Sequence, residues 1–215
     1  LQSGIQTDIT LTVKNTSVTV DGSSISAWGD GGSQTVTVGG DYTVTISLDN
    51  GVSVHDVLTD VYVDGNSVIV KAYSLSCQYL KCTMLDGELC TSQCRTTLKD
   101  PMDNTVSRFE YTFTISGIAS NITATIGYAK AVSIFTSVYP NNSGAVRIVG
   151  ELYEGETVRI VPEAAYSYGI SSWKDQDDNL LSDGYDYTVR LSKDVQITAC
   201  FEENLVLGGV FTVAN

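Results

Sequence analysis

Between Thr35 and Leu48 the chain alternates apolar and hydroxylated side chains with period two. Val36, Val38, Tyr42, Val44, Ile46 and Leu48 share one parity, and Thr35, Thr37, Thr43, Thr45 and Ser47 share the other. Successive side chains of a strand point to opposite faces, so this pattern predicts a strand with one buried and one wetted face. It recurs at Tyr111/Phe113/Ile115, Ile122/Ala124/Ile126, Tyr187/Val189/Leu191 and Val195/Ile197/Ala199/Phe201. Thr, Val, Ile and Tyr suit such half-buried pleated surfaces. Asp21-Gly22, Asn50-Gly51, Asp64-Gly65 and Asp183-Gly184 supply turn chemistry between the runs. No stretch of a dozen residues carries a helical period; short helical turns near 53–59 or 162–166 are the most the pattern allows. The class expected is mainly β and antiparallel.

The chain also pairs with itself. Residues 39–46 lie over 154–160, 111–116 over 187–192, and 122–126 over 197–201. Self-similarity of this kind marks modular architectures. At 215 residues, two modules of roughly 100 residues each are expected. The expected layout is an N-terminal β-module over 1–131 carrying a Cys-rich insert at about 69–108, a second β-module over 132–204, and an apolar tail over 205–215. Each module is expected to be sandwich-like or β-grasp-like. The turn cluster Pro140, Asn141, Asn142, Ser143 and Gly144 sits at the second module's entry.

Within 150–203 the order is a glycine-bounded strand (Gly150 to Gly155), an aromatic-Gly segment (Tyr166, Tyr168, Gly169), Trp173, an acidic turn, and a closing Thr198-Ala199-Cys200-Phe201 strand. This order resembles the divergent internalin-B-type B-repeats of bacterial surface proteins and some phage proteins, over about a quarter of the chain. The resemblance implies a displayed β-module in which Trp173 packs on the sheet, and it names no ligand.

Charge narrows the partners. Twelve Lys+Arg against 25 Asp+Glu give a net charge of −13. Such a charge repels phosphate, which argues against nucleic acid and anionic membranes. No apolar run reaches the ~18–20 residues of a membrane span, so no membrane insertion is expected. The opening Leu1-Gln2-Ser3-Gly4 has neither a Met nor a signal pattern, as expected of a processed product or a fragment.

Four of the five cysteines, Cys77, Cys82, Cys90 and Cys94, fall within eighteen residues. An even, dense set in an extracellular-looking chain reads as disulfides, and the insert is expected to need such staples. Tetrathiolate zinc is the rival, without the paired C-x2-C knuckles that usually build it. Cys200 lies on the polar parity of its strand and is either a covered thiol or an intermolecular one. Asp175, Asp177, Asn179, Asp183 and Asp186 space oxygen ligands as a calcium loop would, yet the sixth-position glycine is Leu180. Calcium and zinc are thus weak alternatives to having no cofactor. Catalysis has little support: the single histidine, His55, has no placed nucleophile, and no phosphate-cradling or metalloprotease motif occurs. Trp28, in a glycine-rich loop, is the aromatic best placed for binding. Leu205, Leu207, Val210, Phe211 and Val213 make the tail too apolar to dangle and suit it to assembly.

The expectation is a non-enzymatic structural or display protein outside the cytoplasm. One setting is a phage virion, as a decoration, fibre or capsid-associated subunit, or another extracellular assembly. Its partners are then other protein subunits, by self-assembly or on a capsid or cell surface. The alternative is a bacterial cell-surface adhesin recognising glycan or host protein.

Overall fold

The structure, a computed structural model, describes residues 33–204. Trp28 and the tail residues Leu205, Leu207, Val210, Phe211 and Val213 lie outside the described residues. The described residues are strands and connections without a helix, so none is long and apolar enough to cross a membrane. The chain divides into two compact units, one of 33–130 together with Tyr153–Glu156, the other of Ala131–Leu152 and 157–204.

The first unit contains β1 (Ser33–Val38), β2 (Tyr42–Leu48), β3 (Val57–Asp64), β4 (Ser67–Ser74), β5 (Leu80–Met84), β6 (Ser92–Lys99), β7 (Val106–Ser116) and β8 (Ile122–Tyr128). One sheet runs β1-β2-β8-β5 and the other β3-β4-β7-β6. The periodic residues do what their parity predicts: Val38, Val44, Ile46, Tyr111, Phe113, Ile115, Ala124 and Ile126 are buried in one core. Each fully buried aliphatic side chain stabilises by about 1.5–3 kcal/mol relative to exposure, before entropy is counted. The β3–β4 hairpin pairs Asp64 with Ser67, leaving a two-residue turn that begins at Gly65 with φ +58. A positive φ at the first turn position is what glycine tolerates and what matches the twist of the flanking strands.

The second unit contains β9 (Ile134–Tyr139), β10 (Gly144–Val149), β11 (Thr157–Ala164), β12 (Tyr168–Lys174), β13 (Leu180–Ser182), β14 (Tyr187–Arg190) and β15 (Val195–Glu203). Its sheets are β10-β11-β14 and β13-β12-β15-β9. Val158, Ile160, Trp173, Leu191, Ile197, Ala199 and Phe201 form its core.

The two units share a skeleton. An early strand runs parallel to the last in each: β2 beside β8, and β9 beside β15. The last strand pairs antiparallel with β5 in one unit and with β12 in the other. The opposing sheets match as well, β3-β4-β7 against β10-β11-β14, all antiparallel. The repeat therefore differs in register from the sequence overlay. β7/β14 and β8/β15 correspond as the motifs suggest, but the partner of β11 is β4, and β2 answers β9. Alternation and a leading Gly-acidic pair make β2 and β11 look alike locally, whereas correspondence is fixed by which strands each one pairs with.

A second correction concerns 69–108. It is not an insert around a complete module. β4 is an inner strand of its sheet, β5 closes the edge of the other, and Val70, Ala72, Leu80, Cys82 and Cys90 are core residues. The segment packs as part of the core and not as a loop outside it. Nor is the fold wholly antiparallel, since one parallel pair closes each unit.

Candidate functional site

The second unit presents a recess on the outward face of β13-β12-β15-β9. Parallel pairing sets Tyr139 beside Cys200 and Ser137 beside Thr198, while antiparallel pairing sets Lys174 beside Thr198. Ile134 and Val138 pack toward the core, so Phe135, Ser137 and Tyr139 take the opposite face. Tyr139 is 67% exposed and Phe135 59%. Tyr139, Lys174, Asp178, Thr198 and Cys200 line a space of about 400 Å3. The Ser137 and Thr198 hydroxyls stand 2.8 Å apart, and Lys174 Nζ donates to Asp178 Oδ1 at 2.8 Å. That hydrogen bond holds the ammonium above its ordinary pKa. An aromatic face beside hydroxyls and a cation–carboxylate pair can stack on and hydrogen-bond a polar ligand. Cys200 is half-buried in the wall of this recess.

The acidic run of 175–186 serves a turn. Asp175 Oδ1 accepts the amides of Asp177 and Asn179, both at 2.9 Å, and Oδ2 accepts the Asn179 side-chain amide at 3.0 Å. The Asn179 side chain first, and its backbone amide next, lower the Asp175 pKa. Asp186 is paired with Arg159, and Asp183 is exposed. Among the described residues no group of three or more His, Cys, Asp or Glu is placed to hold a metal ion. The calcium spacing and the four-cysteine zinc set are therefore not gathered into sites here.

In the first unit the cysteines separate. Cys82 on β5 and Cys90 just beyond it are buried, Cys77 is half-buried after β4, and Cys94 is exposed on β6. No disulfide joins any of the five. His55 is exposed in a turn, its amide bonded to Ser53 Oγ at 3.1 Å.

A polar–aromatic cluster escaped the sequence reading. Tyr79 stacks on Tyr153 with ring centroids 3.7 Å apart, and the Arg95 guanidinium lies 4.9 Å from the Tyr79 centroid and 4.7 Å from that of Phe109. Arg95 also binds Glu156 at 3.1 Å, and Lys81 binds Glu154 at 2.6 Å. Burial would raise the Glu154 pKa, but the Lys81 ammonium and the Lys130 amide overcome it and hold the carboxyl below its ordinary range. Next to this cluster, Tyr111 Oη accepts the Leu80 amide at 3.2 Å, and burial raises the phenol pKa strongly. Every group here has a packing or charge partner, so the cluster fixes Tyr153–Glu156 within the first unit. Tyr79 and Tyr153 are 74 residues apart, and no local pattern joins them.

A scan against protein-family models, a search of the curated proteins and a search of the solved structures each found no match to this chain.

Proposed function

We propose that this chain is a structural or display subunit working outside the cytoplasm, in a phage virion or another extracellular assembly, with other protein subunits as its partners. The observation carrying this reading is the strand skeleton that occurs twice in one chain. Duplicated β-modules build extended displayed surfaces from one folding solution. Each unit leaves sheet edges, and an unpaired edge is a template for strand addition by another subunit. The net charge of −13 suits an exposed, soluble component, and the motif order over 150–203 suits the surface and phage repeats it resembles. Sedimentation velocity combined with electron microscopy of the purified chain tests the proposal. Concentration-dependent assembly into a regular oligomer, alone or with capsid or surface subunits, is expected; a strictly monomeric chain that joins neither overturns it.

The Tyr139 recess favours a second reading, an adhesin-type module that binds a glycan or host protein. Tyr139→Ala would then abolish retention of the chain on a glycan array or on host cells, while leaving its thermal melt unchanged.

A further inference from the structure

We propose that Cys82 and Cys90 form a cross-strand disulfide, and that Cys77 and Cys94 take no part in it. The register carries the argument. Thr83 bridges Leu89 in antiparallel sense, the Cys90 amide donates to the Cys82 carbonyl at 2.9 Å, and the Met84 amide donates to the Glu88 carbonyl at 2.7 Å. Cys82 and Cys90 therefore face each other at the hydrogen-bonded position next to the Thr83–Leu89 bridge of a short hairpin, joined by the one backbone bond from Cys90 to Cys82. Opposed residues of such a pair point to the same face with Cα atoms about 5.5 Å apart. A disulfide asks for about 5.5–6 Å. Both side chains enter one core, Cys82 at 0% exposure and Cys90 at 1%.

The other two cysteines fail the same test. The Cys77 thiol lies 3.7 Å from the Val106 carbonyl, at one end of β7. Cys94 pairs with Thr112, six residues further along that strand. Six residues of strand span about 20 Å, far beyond the ~7 Å limit between bridged Cα atoms. Cys77 and Cys94 cannot bridge each other without unpairing β6 or β7.

The oxidant class is a small-molecule disulfide such as oxidised glutathione. One cysteine thiolate attacks it, forming a mixed disulfide and releasing one glutathione thiolate. The second cysteine thiolate then attacks the protein sulfur of that mixed disulfide and expels the other glutathione. Two electrons pass to the oxidant, and the two thiol protons are lost. In the reduced form the Cys90 thiol donates to the Ser92 carbonyl at 3.0 Å, a contact exchanged for the bond to Cys82.

The test refolds the full chain from denaturant in a glutathione redox buffer, so that burial does not block access. Free thiols are then alkylated under denaturing conditions, and the chain is cut after Lys81, after Glu88 (between the pair) and after Arg95. Two alkylations are lost, fragments 82–88 and 89–95 remain joined, and the join survives Cys94→Ser and Cys77→Ser. It disappears in Cys82→Ala and in Cys90→Ala. The melting temperature of the oxidised chain exceeds that of the reduced chain by on the order of 5–10 °C. All five cysteines alkylated after refolding, or a bridge that depends on Cys77 or Cys94, overturns the assignment. Because the result depends only on the hairpin, it is independent of whether the chain assembles.

Discussion

Trp173 lies wholly inside the second unit, yet its indole Nε1–H reaches the Gly184 carbonyl at 3.1 Å. The ring fills the core from β12 while its one polar atom ties down the loop that enters β14. Buried tryptophans keep such a partner because an unpaired N–H costs a large share of what their burial contributes. Trp173→Ala is expected to destabilise the second unit by about 3–5 kcal/mol through the cavity it leaves. Trp173→Phe retains most of the packing, leaves the Gly184 carbonyl without its donor, and costs about 1–3 kcal/mol. Urea titration followed by circular dichroism checks both values and their order.

Gly144 opens β10 where a side chain has no room. A Cβ there would sit 2.7 Å from the Glu163 carbonyl oxygen and 2.8 Å from the Phe201 ring. The oxygen belongs to the backbone of the adjacent strand and cannot turn aside. Gly144→Ala is expected to cost about 1–3 kcal/mol by overpacking. A thermal melt indistinguishable from the parent would mean that the β10–β11 pair is looser than this register requires.

Tyr111 makes the first unit sensitive to alkali. Burial holds its phenol above the ordinary value of 10.0, against the opposing effect of the Leu80 hydrogen bond. The folded state therefore keeps a proton that the unfolded chain releases first. The contribution is intact below pH 10 and is lost as pH rises from there toward the folded pKa. Above about pH 10 the parent should lose up to ~1.4 kcal/mol more per pH unit than Tyr111→Phe. At neutral pH the order reverses, because the variant strands the buried Leu80 amide at a cost of about 1–3 kcal/mol. Parallel urea titrations of the two proteins across this range give the comparison.

Glu154 acts at the acid end. Its folded pKa lies below the ordinary 4.5, so its contribution is present above that value and is lost as pH falls through the folded pKa. At pH 7 the partly buried Lys81–Glu154 pair should make the parent about 1–2 kcal/mol more stable than Glu154→Gln. That margin should close on acidification, and a double-mutant cycle with Lys81→Met isolates the pair from other carboxylates titrating nearby.

Strand positions and faces were readable because each is written locally. Tyr111, Phe113 and Ile115 announce their burial in five residues, and so do Ile197, Ala199 and Phe201. Partners were not readable. Nothing around Val44 names Ile122 as its parallel neighbour 78 residues on, and nothing around Tyr139 names Cys200. The same blindness misplaced β2 on β11 and made 69–108 look inserted: Val70 and Ala72 alternate modestly, but their importance comes from β3 and β7 on either side. The recess at Tyr139 and the Tyr79–Arg95–Tyr153 stack are products of long-range pairing, visible only once strands are assigned to sheets. In the acidic run 175–186 the ligand-like spacing accompanies the acidic turn that the motif order implies, the Asp175 carboxylate accepting amides of its own loop.

The parallel closure of the second unit has a mechanical consequence. Tension on the backbone at the two ends of the second unit pulls β9 against β15 along their shared axis. In a parallel pair the ladder bonds lie across that pull, so they are loaded together in shear and cannot unzip one at a time. The six paired positions of β9–β15 would have to yield nearly at once. An antiparallel hairpin pulled at its open end would peel apart bond by bond. A unit closed this way resists being drawn out by its ends.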